Sequence, residues 1–286
     1  MKTNVLCIGH VCHDKMDNGY KLGGTVSYAS LFAAQLGGNT EIITSAGADF
    51  KYEQRFKDAG IKVFNFPCPS TTCFENIQTP EGRQQFLHSR AENISEGVVM
   101  SFPFTQPQIV HLGPIANEVS PALSSLFTGS TIGFSIQGWL RKWHDNGKVY
   151  TANQPWAMLK GIDVVFASDE DLSHDDKAVH YILAHTKNLV LTKGDKGAFI
   201  FTNNKKYYFP SYPTKVVDTT GAGDVFALCF LWSYHHDQSL SKACIFAHSA
   251  ASILVEGHNI NHLPTIDEIN QRLNEYRSLF HLETSP

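Results

Sequence analysis

The sequence predicts an α/β protein with a mostly parallel central sheet and helices on both faces. Short apolar runs recur along the chain as candidate core strands: NVLCI, QIVHL, TIGFS, DVVFA and NLVLT. Helical or irregular segments separate the later runs, and this alternation builds parallel sheets. Two apolar helical stretches follow, at about 223–236 and 240–256. With 286 residues, 42% of them hydrophobic, the chain fits one large domain, with or without a small appendage.

The elements follow in order. Asn4 to Ile8 is a first strand rather than the start of a signal peptide, because no long apolar segment or cleavage site follows it. Asp17-Asn18-Gly19 is a tight turn inside a hairpin over residues 11–22. Tyr28, Leu31, Phe32 and Leu36 have helical spacing, and Gly37-Gly38 ends that helix. Glu41 to Thr44 is a strand again. Residues 61–90 alternate like strands, and TTCFENIQTPEGRQQFLHS reads as two of them around a Pro-Glu-Gly turn. Segments 11–22 and 61–90 together predict a small sheet covering one side of the main domain. GAFIFTNNKKYYF is a hairpin around Asn203-Asn204, and Thr265 with Glu268 forms a capping box for a last amphipathic helix.

Several function classes are excluded on composition. The net charge is −4 and no Lys/Arg-rich block occurs, so a nucleic-acid footprint is missing. No run approaches the roughly 18 apolar residues of a membrane span. The six cysteines (Cys7, Cys12, Cys68, Cys73, Cys229, Cys244) form no C-x-x-C pair and predict buried thiols in a reducing cytoplasm. The histidines, His235-His236 and His258 to His262 included, lack partners at metal-ligand spacing.

The segment DTTGAGDVFAL, residues 218–228, carries the chemistry. A bare loop running into a helix exposes amide groups in the positive field of the helix start, which suits a phosphate. Gly221, Ala222 and Gly223 let the backbone approach an anion. Asp224 would repel a phosphate, but it suits a base that holds a substrate hydroxyl beside the phosphoryl group. The plainer alternative is a Gly-rich turn whose Asp complements the helix dipole. No G-x-x-x-x-G-K-[ST] loop occurs, which argues against a P-loop kinase, and no G-x-G-x-x-G follows the first strand, which argues against a dehydrogenase.

DTTGAGDVFALCFL closely resembles the C-terminal signature of the ribokinase-like (PfkB) carbohydrate kinases. LGGTVSYASLFAAQLG resembles their Gly-Gly motif, and LTKGDKGAFIF their T-x-G-x-x-G turn. The resemblance implies a ribokinase-like three-layer α/β/α fold with a small β lid, ATP as donor, Mg²⁺, and an alcohol acceptor. It implies Asp224 as base and Gly221, Ala222 and Gly223 as anion hole. It places Ser168, Thr192, Lys193, Gly194, Gly197 and Thr220 along the nucleotide, with Lys193 or Lys196 meeting phosphate. Where the family carries N-x-x-E, this chain has Ser168-Asp169-Glu170-Asp171. Asp171 takes the place of that Glu, acting on Mg²⁺ through water, although Asp169 and Glu170 are also available. His248, Ser249 or Ser252 would lie near adenine.

For the acceptor, Asp14 and the glycines Gly23 and Gly24 match positions that bind hydroxyls in the family. GHVCHD, TTCFEN, HSRAENI, IQGWLR and YTANQP resemble its inositol-kinase branch. That carries over Gln137 and Arg141, with Phe74, Glu75 and Arg90 beside them and Trp139 as a flat wall. A myo-inositol acceptor is expected, with a sugar or a nucleoside as alternatives. The alternative from another class is a catalytically idle binding protein on the same fold. The expected partners are a small polyol or sugar, with no nucleic acid or membrane, in a monomer or homodimer. The lid is expected to close over the acceptor and exclude water.

Overall fold

The computed structural model describes residues 2–80, 82–173, 175 and 177–280. The chain runs β1 (Asn4–Ile8), β2 (Cys12–Met16), β3 (Gly19–Gly23), α1 (Thr25–Gln35), β4 (Asn39–Ala46), α2 (Glu53–Asp58), β5 (Lys62–Pro67), β6 (Thr72–Thr79) and β7 (Gly82–Ser89). It continues with α3 (Glu96–Met100), β8 (Ile109–Leu112), β9 (Thr131–Ser135), α4 (Gln137–Leu140), β10 (Arg141–Trp143), β11 (Val149–Thr151), β12 (Val164–Ser168), α5 (Asp169–Leu172) and α6 (Ala178–Leu183). The last elements are β13 (Asn188–Thr192), β14 (Ala198–Thr202), β15 (Lys205–Phe209), α7 (Ala222–Asp237), α8 (Leu240–Leu254) and α9 (Ile266–Leu279).

The main sheet has the order β15-β14-β13-β12-β9-β8-β1-β4-β5. Its strands from β13 to β5 pair in parallel, while β14 and β15 form an antiparallel edge. Strand alternation separates two cores. Val5 and Cys7 face one side with α1, α7 and α8, and Leu6 and Ile8 face the other with Val99 of α3 and Ile182 of α6. Both faces are covered, so the central strands are largely apolar, with His111 of β8 as a buried exception. Helix α7 is buried continuously from Val225 to Leu231.

A second, four-stranded sheet has the order β3-β2-β6-β7 and corresponds to the small sheet expected as a lid. The hairpin around Asp17-Asn18 is present, as are the strands on either side of the Pro-Glu-Gly turn, of which Glu81 lies outside the described residues. The expectation for residues 61–90 needs one correction. Residues 62–67 form β5, which pairs in parallel with β4 in the main sheet. The lid's second piece therefore begins at Thr72. Local alternation in IKVFNF is the same for an edge strand of either sheet, so pattern alone could not assign it.

Candidate active site

The carboxyl ends of the parallel strands define one edge of the molecule, where ligands of such sheets bind. Helices α1 and α7 both begin there. Gly221 stands at φ 80° ahead of α7, and a Cβ on it would meet the Tyr28 ring at 2.1 Å, so only glycine lets the loop lie on this ring. The Ala222 amide donates to Thr219 O at 3.1 Å, and the Val225 amide to Gly221 O at 2.9 Å. The amides of Gly221 and Gly223 have no backbone acceptor among the described residues. Of the three residues expected to form an anion hole, Ala222 thus has its amide committed to the turn. Thr220 donates its amide to Asp218 Oδ1 at 2.9 Å, which sets the turn before Gly221.

Asp224 is half-buried in the first turn of α7. Burial raises its pKa to about 6, and nearby Asp14 adds to the shift, while a hydrogen bond from the Thr25 hydroxyl and the Arg141 charge oppose it. Asp14 and Arg141 therefore lie close to Asp224. Asp14 shares a face of the lid with Gly23, where a Cβ would fall 2.4 Å from Asp14 Oδ2. Phe74 pairs in register with Asp14 and presents its ring to Arg141, whose guanidinium lies 5.3 Å from the ring centroid. Gln137, at the start of α4, accepts from Arg141 Nη2 at 2.8 Å, and Ile115 O accepts from Arg141 Nη1 at 2.9 Å. Gly24, at φ 98°, leads from the lid into α1.

Three expected acceptor residues lie elsewhere. Glu75 is on the opposite face of the lid, where it pairs with Lys15 at 3.3 Å and His88 at 2.7 Å, because successive strand residues alternate sides. Trp139 is buried against Phe134 and Trp156 as a core residue. Arg90 donates to Ala116 O, Ala91 O, Asn117 O and Asn93, and so serves as scaffold. Conversely, pattern reading missed Thr25. It directly follows Gly24, and its hydroxyl type at a helix start was the only available signal.

On the other side of the Gly221 loop lies a cleft of about 360 Å³. Thr192, Gly194 and Gly197 line one wall, Thr219, Ala222 and Gly223 one end, and Phe226, His248, Ala251 and Val255 the apolar floor. His248 is buried, its Nε2 has no partner among the described residues, and burial lowers its pKa to about 4, leaving it neutral at physiological pH. Tyr212 and Ser252 also line the cleft, and Arg272 of α9 fixes both, lying 4.4 Å over the Tyr212 ring and donating to Ser252 Oγ at 2.9 Å.

Lys193 and Ser168 flank this cleft without lining it. Lys193 pairs with Asp169 at 3.5 Å. Ser168 and Asp171 form a reciprocal capping box on α5, with Ser168 N donating to Asp171 Oδ2 at 2.8 Å. The cap therefore engages the carboxylate expected to act on Mg²⁺. No group of three or more His, Cys, Asp or Glu among the described residues could hold a metal. Nor is any helix among the described residues long and apolar enough to cross a membrane.

Residues 140–266 match the model of the pfkB family carbohydrate kinases. A nucleoside kinase of Methanocaldococcus jannaschii is 24% identical over 96% of this chain and 97% of its own. Among solved structures, a pyrophosphate-dependent kinase of the ribokinase family, complexed with a pyrophosphate analog and myo-inositol, superposes with a TM-score of 0.77 at 23% identity, covering 94% of this chain and 99% of that one. Arabidopsis thaliana ribokinase, complexed with ribose and ATP, gives 0.74 at 18% identity over 96% and 99%. The fold is thus ribokinase-like, residues 140–266 are similar to the pfkB family of carbohydrate kinases, and these likenesses support a phosphotransferase that acts on a hydroxyl acceptor.

Proposed function

We propose that this kinase transfers the γ-phosphoryl group of ATP to a hydroxyl of a small polyol, with myo-inositol the first candidate. The observation that carries the reading is the cleft that begins at the Gly221 loop and ends on an apolar floor with the unpartnered His248 Nε2. A pyrophosphate donor would need only the loop. A mostly apolar chamber with a few polar side chains in its lining, Thr219 and Ser252 among them, is suited to a nucleoside base.

Asp224 accepts the proton of the acceptor hydroxyl, whose oxygen then attacks the γ-phosphorus while ADP leaves. The amides of Gly221 and Gly223 and the field of α7 stabilise the charge spread over the transferring group. A pKa near 6 keeps Asp224 ionised at neutral pH while making it a stronger base than an exposed carboxylate. Among the described residues no group of side chains would cage Mg²⁺, which prefers donor phosphates and water over an all-protein site and would be held with the nucleotide. When bound, it would neutralise phosphate charge.

Asp14, Gln137 and Arg141 ring the acceptor side, a set suited to a molecule with hydroxyls all round. A nucleoside acceptor would need a stacking aromatic, but Trp139 is buried and Phe74 carries the Arg141 guanidinium. The six cysteines form no disulfide and five of them are buried, which suits a reducing cytoplasm. The test is a product assay with ATP and with pyrophosphate against myo-inositol, other cyclitols, ribose, fructose and nucleosides. Saturable turnover with ATP and myo-inositol supports the reading. Turnover with pyrophosphate alone overturns the donor assignment, and turnover with another acceptor alone overturns the polyol.

A further inference from the structure

Four chain segments meet at the root of the lid: residues 9–11, 71–72, 90–93 and 115–118. At their centre is Glu118, only 3% exposed. Its Oε1 accepts from His10 N at 2.9 Å and Ile115 N at 3.0 Å, and its Oε2 from Ile115 N at 3.1 Å and Ala116 N at 2.7 Å. A carboxylate this buried is tolerable only because these amides compensate it. The His10 ring, also fully buried, bonds to Glu92 O and to the Thr72 hydroxyl, both at 2.8 Å. The clustered polar atoms therefore tie the β1–β2 connection, the start of β6 and the end of β7 to one loop after β8.

Glu118 gathers the amides of that loop, which turns its carbonyls the other way. Ile115 O then accepts from Arg141, and Ala116 O and Asn117 O accept from Arg90. Two guanidinium groups are thus set by three successive carbonyls, and the direction of those carbonyls is fixed by one carboxylate.

We propose that Glu118 is a positioning residue for the acceptor: it touches no substrate but aims Arg141, through Ile115 O, and anchors through His10 N the strand that carries Asp14. The inference rests on the assignment of Arg141 to the acceptor side. An isosteric Glu118→Gln replaces one acceptor oxygen by a donor facing other donors. The acceptor KM is expected to rise about tenfold, the size of one lost charge-assisted hydrogen bond, while the donor KM and kcat stay within about twofold.

The test is a double-mutant cycle of E118Q with Arg141→Ala, read as acceptor KM and donor KM, with folding of each variant checked by thermal unfolding. If Glu118 acts through Arg141, E118Q raises acceptor KM in the native background and has little further effect in R141A. If R141A raises acceptor KM but E118Q does not, or the two effects multiply in full, the inference falls and the acceptor site stands. If R141A alone leaves acceptor KM unchanged, the acceptor assignment fails and this inference fails with it. Should E118Q not fold, the same cycle with Glu118→Asp, which keeps the charge but draws it back from the His10, Ile115 and Ala116 amides, gives the same decision.

Discussion

The Thr25 hydroxyl donates a hydrogen bond to the Asp224 carboxylate, joining the first turn of α1 to the first turn of α7. This bond favours the ionised form, against burial, which disfavours it. Activity that needs an ionised Asp224 should therefore rise with pH through about 6 in kcat/KM. Thr25→Val keeps the shape against Gly113 but removes the donor, so the rising limb should move to higher pH by up to about one unit. A limb that stays in place in T25V would separate Asp224 from the titration or Thr25 from Asp224.

Asp224→Asn removes the base and should lower kcat about 10²–10⁴-fold. Its effect on stability runs the other way. The folded-state pKa, about 6, lies above the ordinary value of 3.8, so the folded protein disfavours the charged form. The stability contribution of the neutral acid is fully present below about pH 4 and is lost as pH rises to about 6. D224N carries no such charge, so it should match the native protein near pH 4 and exceed it by about 2–3 kcal/mol above pH 6. Urea unfolding of both proteins at pH 4 and pH 7.5 measures this. Equal differences at the two pH values would contradict the buried charge.

Gly221→Ala should reduce turnover more than ligand affinity. A Cβ at this position would press on the Tyr28 ring and strain a backbone held at φ 80°. The loop must shift, and its amides move from where the transferring charge develops. The strain alone should cost about 1–3 kcal/mol in unfolding. A variant with native kcat would show that the loop's position is not what stabilises that charge.

The strands and the Gly221–Asp224 turn were legible because local pattern determines them: apolar runs of strand length, and a small-residue loop before an apolar helix. What local pattern leaves open is which sheet a strand joins and which way a side chain faces once register is set. Lys62–Pro67 alternates as a lid strand would, yet it pairs with β4 because the main sheet still offers an edge there. Phe74 and Glu75 looked equally able to reach the acceptor, and the register Asp14–Phe74 sends one toward it and the other away. Glu118 gave no signal, since its partners are backbone amides, and Thr25 gave only a hydroxyl at a helix start, since its partner is a carboxylate distant in sequence.

Donor selectivity should depend on His248. Its Nε2 is buried, neutral and without a partner beside the cleft, a state that costs free energy unless a ligand satisfies it. His248→Phe keeps a ring against Phe226 and Tyr276 but removes the nitrogen. The variant should be at least as stable as the native protein, because no polar atom is left unpaired. Its KM for ATP should rise about tenfold through the loss of one buried hydrogen bond to the base. The acceptor KM should not change, since His248 lies on the donor side of the Gly221 loop. Any turnover with pyrophosphate should also be untouched, because that donor has no base to place on the floor of the cleft. Steady-state kinetics with both donors tests this directly: an unchanged ATP KM would mean that His248 is a packed core residue and that base recognition lies elsewhere in the cleft.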